Sequence, residues 1–255
     1  MNKKELDKAG RKHREDLCDE YLGEPDRLPL LVFSDEKLFK RSQNKNKVYV
    51  RRRKGTAHLE KHINFYKPCG GNADCNVFLY ITRHGKGGLY LAERTDIYDQ
   101  SAKKIRAPKK GEKLGFDGDS YYEMMRDYVL PSLEDQFGKD FEWMQDNAPI
   151  HKSENLKRYS GQTVKGLLND RGITLVNWPP NSPDLNPVEH VWTLLNRLVK
   201  RKMRKWLPKN KQQMWRLIKN CWTHVKNEHV VRIYDSFMAR LLVVKANRGS
   251  NNNKY

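Results

Sequence analysis

The chain reads as an α/β fold: a mixed β-sheet with helices on both faces and extra helices at the C-terminus. Three features predict it. Short apolar runs of strand character come first, strands then mix with helical periodicity, and beyond Val188 only helical patterns remain. A chain of 255 residues suits one large domain or two small ones. The pattern asks for no second one: a leading helical segment over 1–27 is followed by a single domain over 28–255.

Residues 1–27 are charged and helical, with a break at Gly23-Glu24-Pro25. Leu28–Asp35 is a continuous apolar run, which suits a strand buried on both faces and ending at Asp35. Lys47–Arg52 alternates and suits an exposed strand, set in a basic, irregular stretch from Lys37 to Lys67. Gly70-Gly71 marks a turn. Val77–Thr82 and Gly88–Ala92 read as strands joined by a hairpin loop, Arg83–Gly87. Residues 100–118 are rich in Lys and Gly and read as a loop.

A helix follows from Asp119 or Ser120, with Tyr121, Met125, Tyr128 and Val129 at helical spacing; Pro131 kinks or resets it and Gly138 lies past its end. Phe141–Gln145 reads as a strand ending at Asp146. Glu154–Leu168 reads as one or two polar helices, and Ile173–Trp178 as a strand. The proline-rich run Trp178–Trp192 then leads into an amphipathic helix, Val188–Val199, which enters the basic cluster Lys200–Lys205. Helices over Lys211–Lys226 and Val230–Val244 complete the chain, with a polar tail from Asn247.

Fifty Lys and Arg against 31 Asp and Glu leave a net charge of +19. The excess is concentrated: residues 31–70 hold 11 basic and 3 acidic side chains, and residues 190–255 hold 16 and 2. Such segments fit a polyanionic partner, most often nucleic acid, although a solvated surface has the same composition. The four cysteines, Cys18, Cys69, Cys75 and Cys221, are spaced neither as a disulfide framework nor as a zinc site. The N-terminus has no apolar core of a secretory signal, and no apolar run is long enough to span a membrane. The expectation is a soluble intracellular protein.

Three acids stand out. Asp35 ends an apolar strand; its neighbour Glu36 should face the opposite way. Asp146 ends another strand and precedes Asn147-Ala148-Pro149. Glu189 falls in the first turn of the helix after the proline loop. Each has an ordinary structural role available. Asp35 and Asp146 could open turns, and Asn186-Pro187-Val188-Glu189 is a capping-box pattern in which Glu189 reaches back to its cap. Taken together, three carboxylates on separate rigid elements suit a site for two divalent metals, because hard cations such as Mg²⁺ take oxygen ligands.

Four blocks carry a family resemblance: Phe33-Ser34-Asp35-Glu36, Tyr49 to Gly55, Met144 to His151, and Trp178–Trp192. In this order they resemble the catalytic region of Tc/mariner superfamily transposases, as does the C-terminal Arg240-Leu241-Leu242 to Lys254-Tyr255. The likeness covers roughly residues 11–255. It implies an RNase H-like fold and a DDE triad of Asp35, Asp146 and Glu189. It also implies Mg²⁺- or Mn²⁺-dependent cleavage at transposon ends, 3′-hydroxyl transfer into target DNA, and homodimers that pair two ends. The stretch about 37–70 would be a clamp-like insertion touching DNA and the partner subunit, and a eukaryotic member would act in the nucleus.

The chain departs from the family twice. The 42 residues between Asp146 and Glu189 exceed the family's usual spacing, the extra ones falling in Ser153–Gln162. Almost nothing precedes Asp35, so the helix-turn-helix domains that read transposon ends are not in this sequence, and Lys12–Leu22 resembles the end of a linker. An alternative function is therefore a non-catalytic DNA-binding or assembly protein derived from a transposase.

Candidate DNA contacts are Arg51, Arg52, Arg53 and Lys54, then Lys200, Arg201 and Lys202; by resemblance His151 sits near the metals or a phosphate. Asn147 is a candidate to steady Asp146 or the backbone. Asp184 is expected to fix the proline loop, and Trp178 and Trp192 to lie in the core.

Overall fold

The computed structural model describes residues 6–41, 73–93, 97–99, 104–106, 115–154 and 156–250. The expected strand Lys47–Arg52, the Gly70-Gly71 turn, Cys69 and most of the clamp-like stretch lie outside the described residues.

The elements in chain order are α1 (Lys8–Gly23), a 3₁₀ turn (Pro25–Leu30), β1 (Leu31–Phe39), β2 (Cys75–Thr82), β3 (Gly85–Leu91), β4 (Ile97–Asp99) and β5 (Lys104–Arg106). Then come α2 (Gly118–Met124), a π turn (Met125–Val129), α3 (Leu130–Phe137), β6 (Glu142–Met144), α4 (Val164–Asp170), β7 (Thr174–Leu175), α5 (Val188–Met203), α6 (Lys211–Thr223) and α7 (Asn227–Ala246). Five strands form one mixed sheet in the order β3-β2-β1-β6-β7. β1 pairs antiparallel with β2 and parallel with β6, and β6 pairs parallel with β7.

Alternation along the strands assigns the two faces. Leu31 and Phe33 of β1, and Cys75, Val77, Leu79 and Ile81 of β2, join a core with α1, α5, α6 and α7. Val32, Phe78 and Tyr80 point the other way, into a core with α2, α3, α4 and Trp143. Helices therefore cover both faces, as the chain-order pattern predicts. α1 packs on this body: Leu17, Cys18 and Tyr21 are buried in the first core. Burying a large apolar side chain contributes about 2 kcal/mol, enough for a few to hold a helix in place.

Several boundaries differ from expectation. Leu28–Leu30 is 3₁₀ rather than strand, because Pro29 has no N–H to give a ladder. β1 instead continues to Phe39, paired all the way with β2, so Asp35 sits in mid-strand opposite Leu79 and opens no turn. The β2–β3 connection is shorter than expected, with the strands resuming at Gly85. Gly85 adopts φ +102°, and a side chain there would collide with Asn227. That asparagine fastens the turn to α7 by accepting from the Lys86 N–H at 2.8 Å and donating to the His84 carbonyl at 2.7 Å.

The expected loop over 100–118 contains half of the small antiparallel pair β4–β5. The expected polar helix Glu154–Leu168 begins only at Val164, where Thr163 caps it by accepting from the Gly166 N–H at 2.8 Å. Before it, residues 156–162 fold back on α2. Leu156 is buried, Arg158 and Tyr159 both donate to Glu123 at 2.7 and 2.8 Å, and the Arg158 N–H donates to Asp119 at 3.1 Å.

Candidate active site

The parity of β1 decides what its two acids face. Asp35 is odd-numbered like Leu31 and Phe33, so it points toward α5; its Oδ2 accepts the indole N–H of Trp192 at 3.0 Å. Its Oδ1 accepts the Glu36 N–H at 2.9 Å. Glu36 points to the opposite face, where its Oε1 meets His151 Nε2 at 3.0 Å. Only one of the neighbouring acids faces α5, as alternation requires.

Asp146 follows β6. The parallel register pairs Leu31 with Glu142, Val32 with Trp143 and Phe33 with Met144. The ladder ends there, so Asp146 lies in the loop just past β6, and its carboxylate turns to His151, which also meets Glu36. The Ser34 hydroxyl fixes that register by donating to the Met144 carbonyl at 2.7 Å. Asp146 Oδ1 accepts the Ala148 N–H at 2.8 Å, so it does make the Asx turn that the following proline suggested.

Glu189 lies one residue into α5. The proline run turns sharply at Asn181, φ 52°, a left-handed conformation that asparagine tolerates. Asp184 is buried and takes both Arg14 Nη atoms, at 2.9 and 2.7 Å, which ties the loop to α1. Arg240 of α7 donates to the Asp184 carbonyl at 2.7 Å and meets His190 Nδ1 at 3.0 Å. Asn186 accepts the Val188 N–H at 3.0 Å and donates to the Ser34 carbonyl at 3.2 Å, linking the start of α5 to β1 one residue before Asp35.

The capping-box expectation does not hold. Among the described residues no hydrogen bond joins the Glu189 carboxylate to the Asn186 N–H, and Asn186 alone provides the cap. Glu189 is partly exposed and has Lys37 Nζ at 4.0 Å from its Oε2.

The charges in this corner interact. Burial pushes the Asp35 carboxyl up to about 8, and the negative charges of Glu189 and Glu36 add to the shift. Burial alone would lower His151. Its bonds to Asp146 and Glu36 more than reverse that, carrying it up to about 10. His151 Nδ1 lies 2.9 Å from Asp146 Oδ1, and this bond holds the Asp146 carboxyl below its usual range. The imidazole is thus a buried cation clamped between two carboxylates, with the Tyr121 ring 4.4 Å away.

The structure places His151 beside Asp146, with its side chain 2 % exposed and both nitrogens engaged. Asn147 donates to the Trp178 carbonyl at 2.7 Å rather than to Asp146. Trp178 and Trp192 are both buried, as expected, but the bond from Trp192 to Asp35 was not foreseen. It had a signal in the sequence: Trp192 lies one helical turn beyond Glu189, on the same face of α5.

Among the described residues, no three His, Cys, Asp or Glu side chains form a group that could hold a metal ion as they stand. Each acid is committed elsewhere: Asp35 to Trp192 and Glu36, Asp146 to Ala148 and His151, Glu189 to Lys37. The donor set is nonetheless all oxygen and anionic, which suits a hard divalent cation. Alongside Asp146 an open groove of about 890 Å³ is lined by Asn147, His151, Lys152, Lys165 and Trp178, among others.

Of the other candidate contacts, Arg51, Arg52, Arg53 and Lys54 lie outside the described residues. Lys200 and Arg201 are exposed in the last turn of α5, whereas Lys202 is half-buried and donates to Asn220 at 2.6 Å.

Residues 120–214 match the DDE superfamily endonuclease family, a span that holds Asp146 and Glu189. The Tcb2 transposase of Caenorhabditis briggsae is 25% identical over 178 residues, covering 70% of this chain and 59% of that protein. The chain is similar to Tc1/mariner transposases. It spans under two thirds of that relative's length. The fold agrees with two solved structures. The Mos1 transposase catalytic domain with Raltegravir and Mg superposes with a TM-score of 0.63 at 15% identity, covering 98% of this chain and 100% of that one. A pre-cleavage Mos1 transpososome gives 0.68 at 15% identity over 98% of this chain and 66% of that one. The architecture is therefore RNase H-like, the fold that the Mos1 transposase catalytic domain has.

Proposed function

We propose that this chain is a metal-dependent phosphodiester-cleaving and strand-transferring domain that acts on double-stranded DNA, with Asp35, Asp146 and Glu189 as its metal ligands. The observation that carries the reading is the register of β1 and β6. It runs the strand that carries Asp35 beside the strand that leads to Asp146, and Asn186 ties the start of α5, with Glu189, to β1 next to Asp35. The Mos1 structures, one with Mg, one with Mn and one a paired end complex with Mn, support Mg²⁺ or Mn²⁺ and paired DNA ends as the partners here too. A homodimer assembled on DNA in the nucleus fits the same reading.

Two divalent ions bound by these carboxylates would activate a water or a 3′-hydroxyl and neutralise charge at the phosphorus. The protein's own part is positional. His151 fixes the Asp146 carboxylate and keeps it ionised, so it is ready to ligate at neutral pH. Trp192 holds Asp35 in its half-buried site. The Arg14–Asp184 and Asn186–Ser34 ties keep the start of α5 against β1, which sets where Glu189 stands.

A second reading, a non-catalytic DNA-binding or assembly protein, is favoured by one observation: the three acids are each bonded elsewhere and do not converge. One assay separates the two. Incubated with supercoiled plasmid and Mn²⁺, the chain should nick DNA, and Asp146→Asn and Glu189→Gln should each reduce nicking at least a hundredfold. Nicking that is absent from the wild type supports the assembly role. Nicking that survives both substitutions overturns the triad.

A further inference from the structure

The cations are not spread evenly over α5 and α6. From His190 to Asn227 the chain holds 11 Lys and Arg and no Asp or Glu. A surface serving only solubility mixes both signs. Beyond Glu189 at the start of α5 the helical hairpin carries no counter-charge of its own, and among the described residues Lys200, Arg201, Arg204, Lys205 and Lys209 make no ion pair. In their midst Trp206 is 49% exposed and its neighbour Leu207 43%. A large exposed aromatic beside unpaired cations lacks the burial that would explain it.

The loop is also ordered by its own bonds. The Lys205 and Trp206 N–H groups donate to the Lys202 carbonyl at 3.0 and 3.1 Å, Pro208 is buried, and the Lys209 N–H donates to Gln213 at 2.7 Å. Asn210 caps α6 by accepting the Gln213 N–H at 2.9 Å. The indole stands on a preformed turn, so binding there costs little ordering.

We infer that the α5–α6 turn is a nucleic-acid contact in which Trp206 stacks on an unpaired base while Lys200, Arg201, Arg204, Lys205 and Lys209 hold the flanking phosphates. Bases inside a duplex hide their faces, so an exposed indole gains stacking only from a single strand, an overhang or a frayed end, and it does so without reading sequence. The helix rises about 1.5 Å per residue, which places Lys200 about 16 Å along α5 from Glu189. At about 3.4 Å per nucleotide the near edge of the contact falls at least about five nucleotides from the reacting phosphate. This assignment rests on the proposal that the chain acts on DNA.

The test is fluorescence anisotropy with the full chain, in EDTA, against a labelled single-stranded oligonucleotide and a blunt duplex of equal length. Trp206→Ala should weaken single-strand binding about tenfold and duplex binding less than twofold. Trp206→Phe should restore most of the loss. Arg204→Ala with Lys205→Ala should weaken both and flatten the salt dependence. Single-strand binding unchanged in Trp206→Ala, or lost equally for both DNAs, overturns the stacking role. If Trp206→Ala instead abolishes self-association and leaves DNA affinity intact, the turn is a protein interface and the inference fails. No divalent metal is present, so a chain that cannot cut DNA can still pass. A chain that nicks plasmid while Trp206→Ala binds single strands normally keeps the catalytic reading and loses this one.

Discussion

At the scale of single residues, the site's chemistry turns on Asp35. Its carboxyl is pushed up to about 8 by burial and by the charges of Glu189 and Glu36. A raised acid pKa means that the fold holds a proton the unfolded chain releases. The stabilising contribution is present in full below the ordinary value of 3.8 and is lost as pH rises through about 8. A metal requires the ionised form, so binding must expel that proton. Mn²⁺ affinity followed by calorimetry should therefore rise by about tenfold per pH unit between about 6 and 8 and level off above. An affinity flat across that window would mean that Asp35 is not a ligand. The identity of this acid was legible from the strand-and-acid motif, and its facing from period-two alternation. The Trp192 bond was legible only in part: spacing puts Trp192 on the face of Glu189, but its partner Asp35 depends on how α5 lies over β1.

At the scale of elements, the turn-and-helix unit that presents Glu189 is held from below by charges buried among α1, the proline loop and α7. Arg14 is fully buried, donates twice to Asp184, and donates from Nε to the Gly249 carbonyl at 2.8 Å. Removing one partner of a buried pair costs far more than the pair itself is worth, because the other charge stays buried. Arg14→Met should lower stability by about 3–5 kcal/mol in urea unfolding, with much of the loss recovered when Asp184 is made Leu as well. A loss below about 1 kcal/mol would show that the loop needs no such clamp. The sequence disclosed the loop through its prolines, and Asp184 as its anchor. It disclosed neither Arg14 nor Arg240 as a loop anchor, since Arg14 is one charge among many in α1 and Arg240 stands in an apolar stretch of α7 with nothing to name its partner. The same limit explains the misread region before α4. Charged residues at 154–162 look helical by propensity, yet Arg158 and Tyr159 find better partners on α2.

At the scale of the whole molecule, the sheet brings together what chain order keeps apart. The strand that carries Asp35 and the strand that leads to Asp146 are neighbours because a parallel crossover sets β6 beside β1, and such pairing depends on topology rather than on any local signal. The mixed sheet, the covering helices and the basic C-terminal third were all readable from patterning and charge. The convergence of the three acids on metal is the central claim, and each acid has another partner to give up for it. Diffraction at the manganese edge from crystals soaked in Mn²⁺ tests it directly. The account predicts anomalous density bounded by carboxylate oxygens of Asp35, Asp146 and Glu189. Manganese bound elsewhere, with Asp35 still on Trp192, Asp146 still on His151 and Glu189 still beside Lys37, would contradict it.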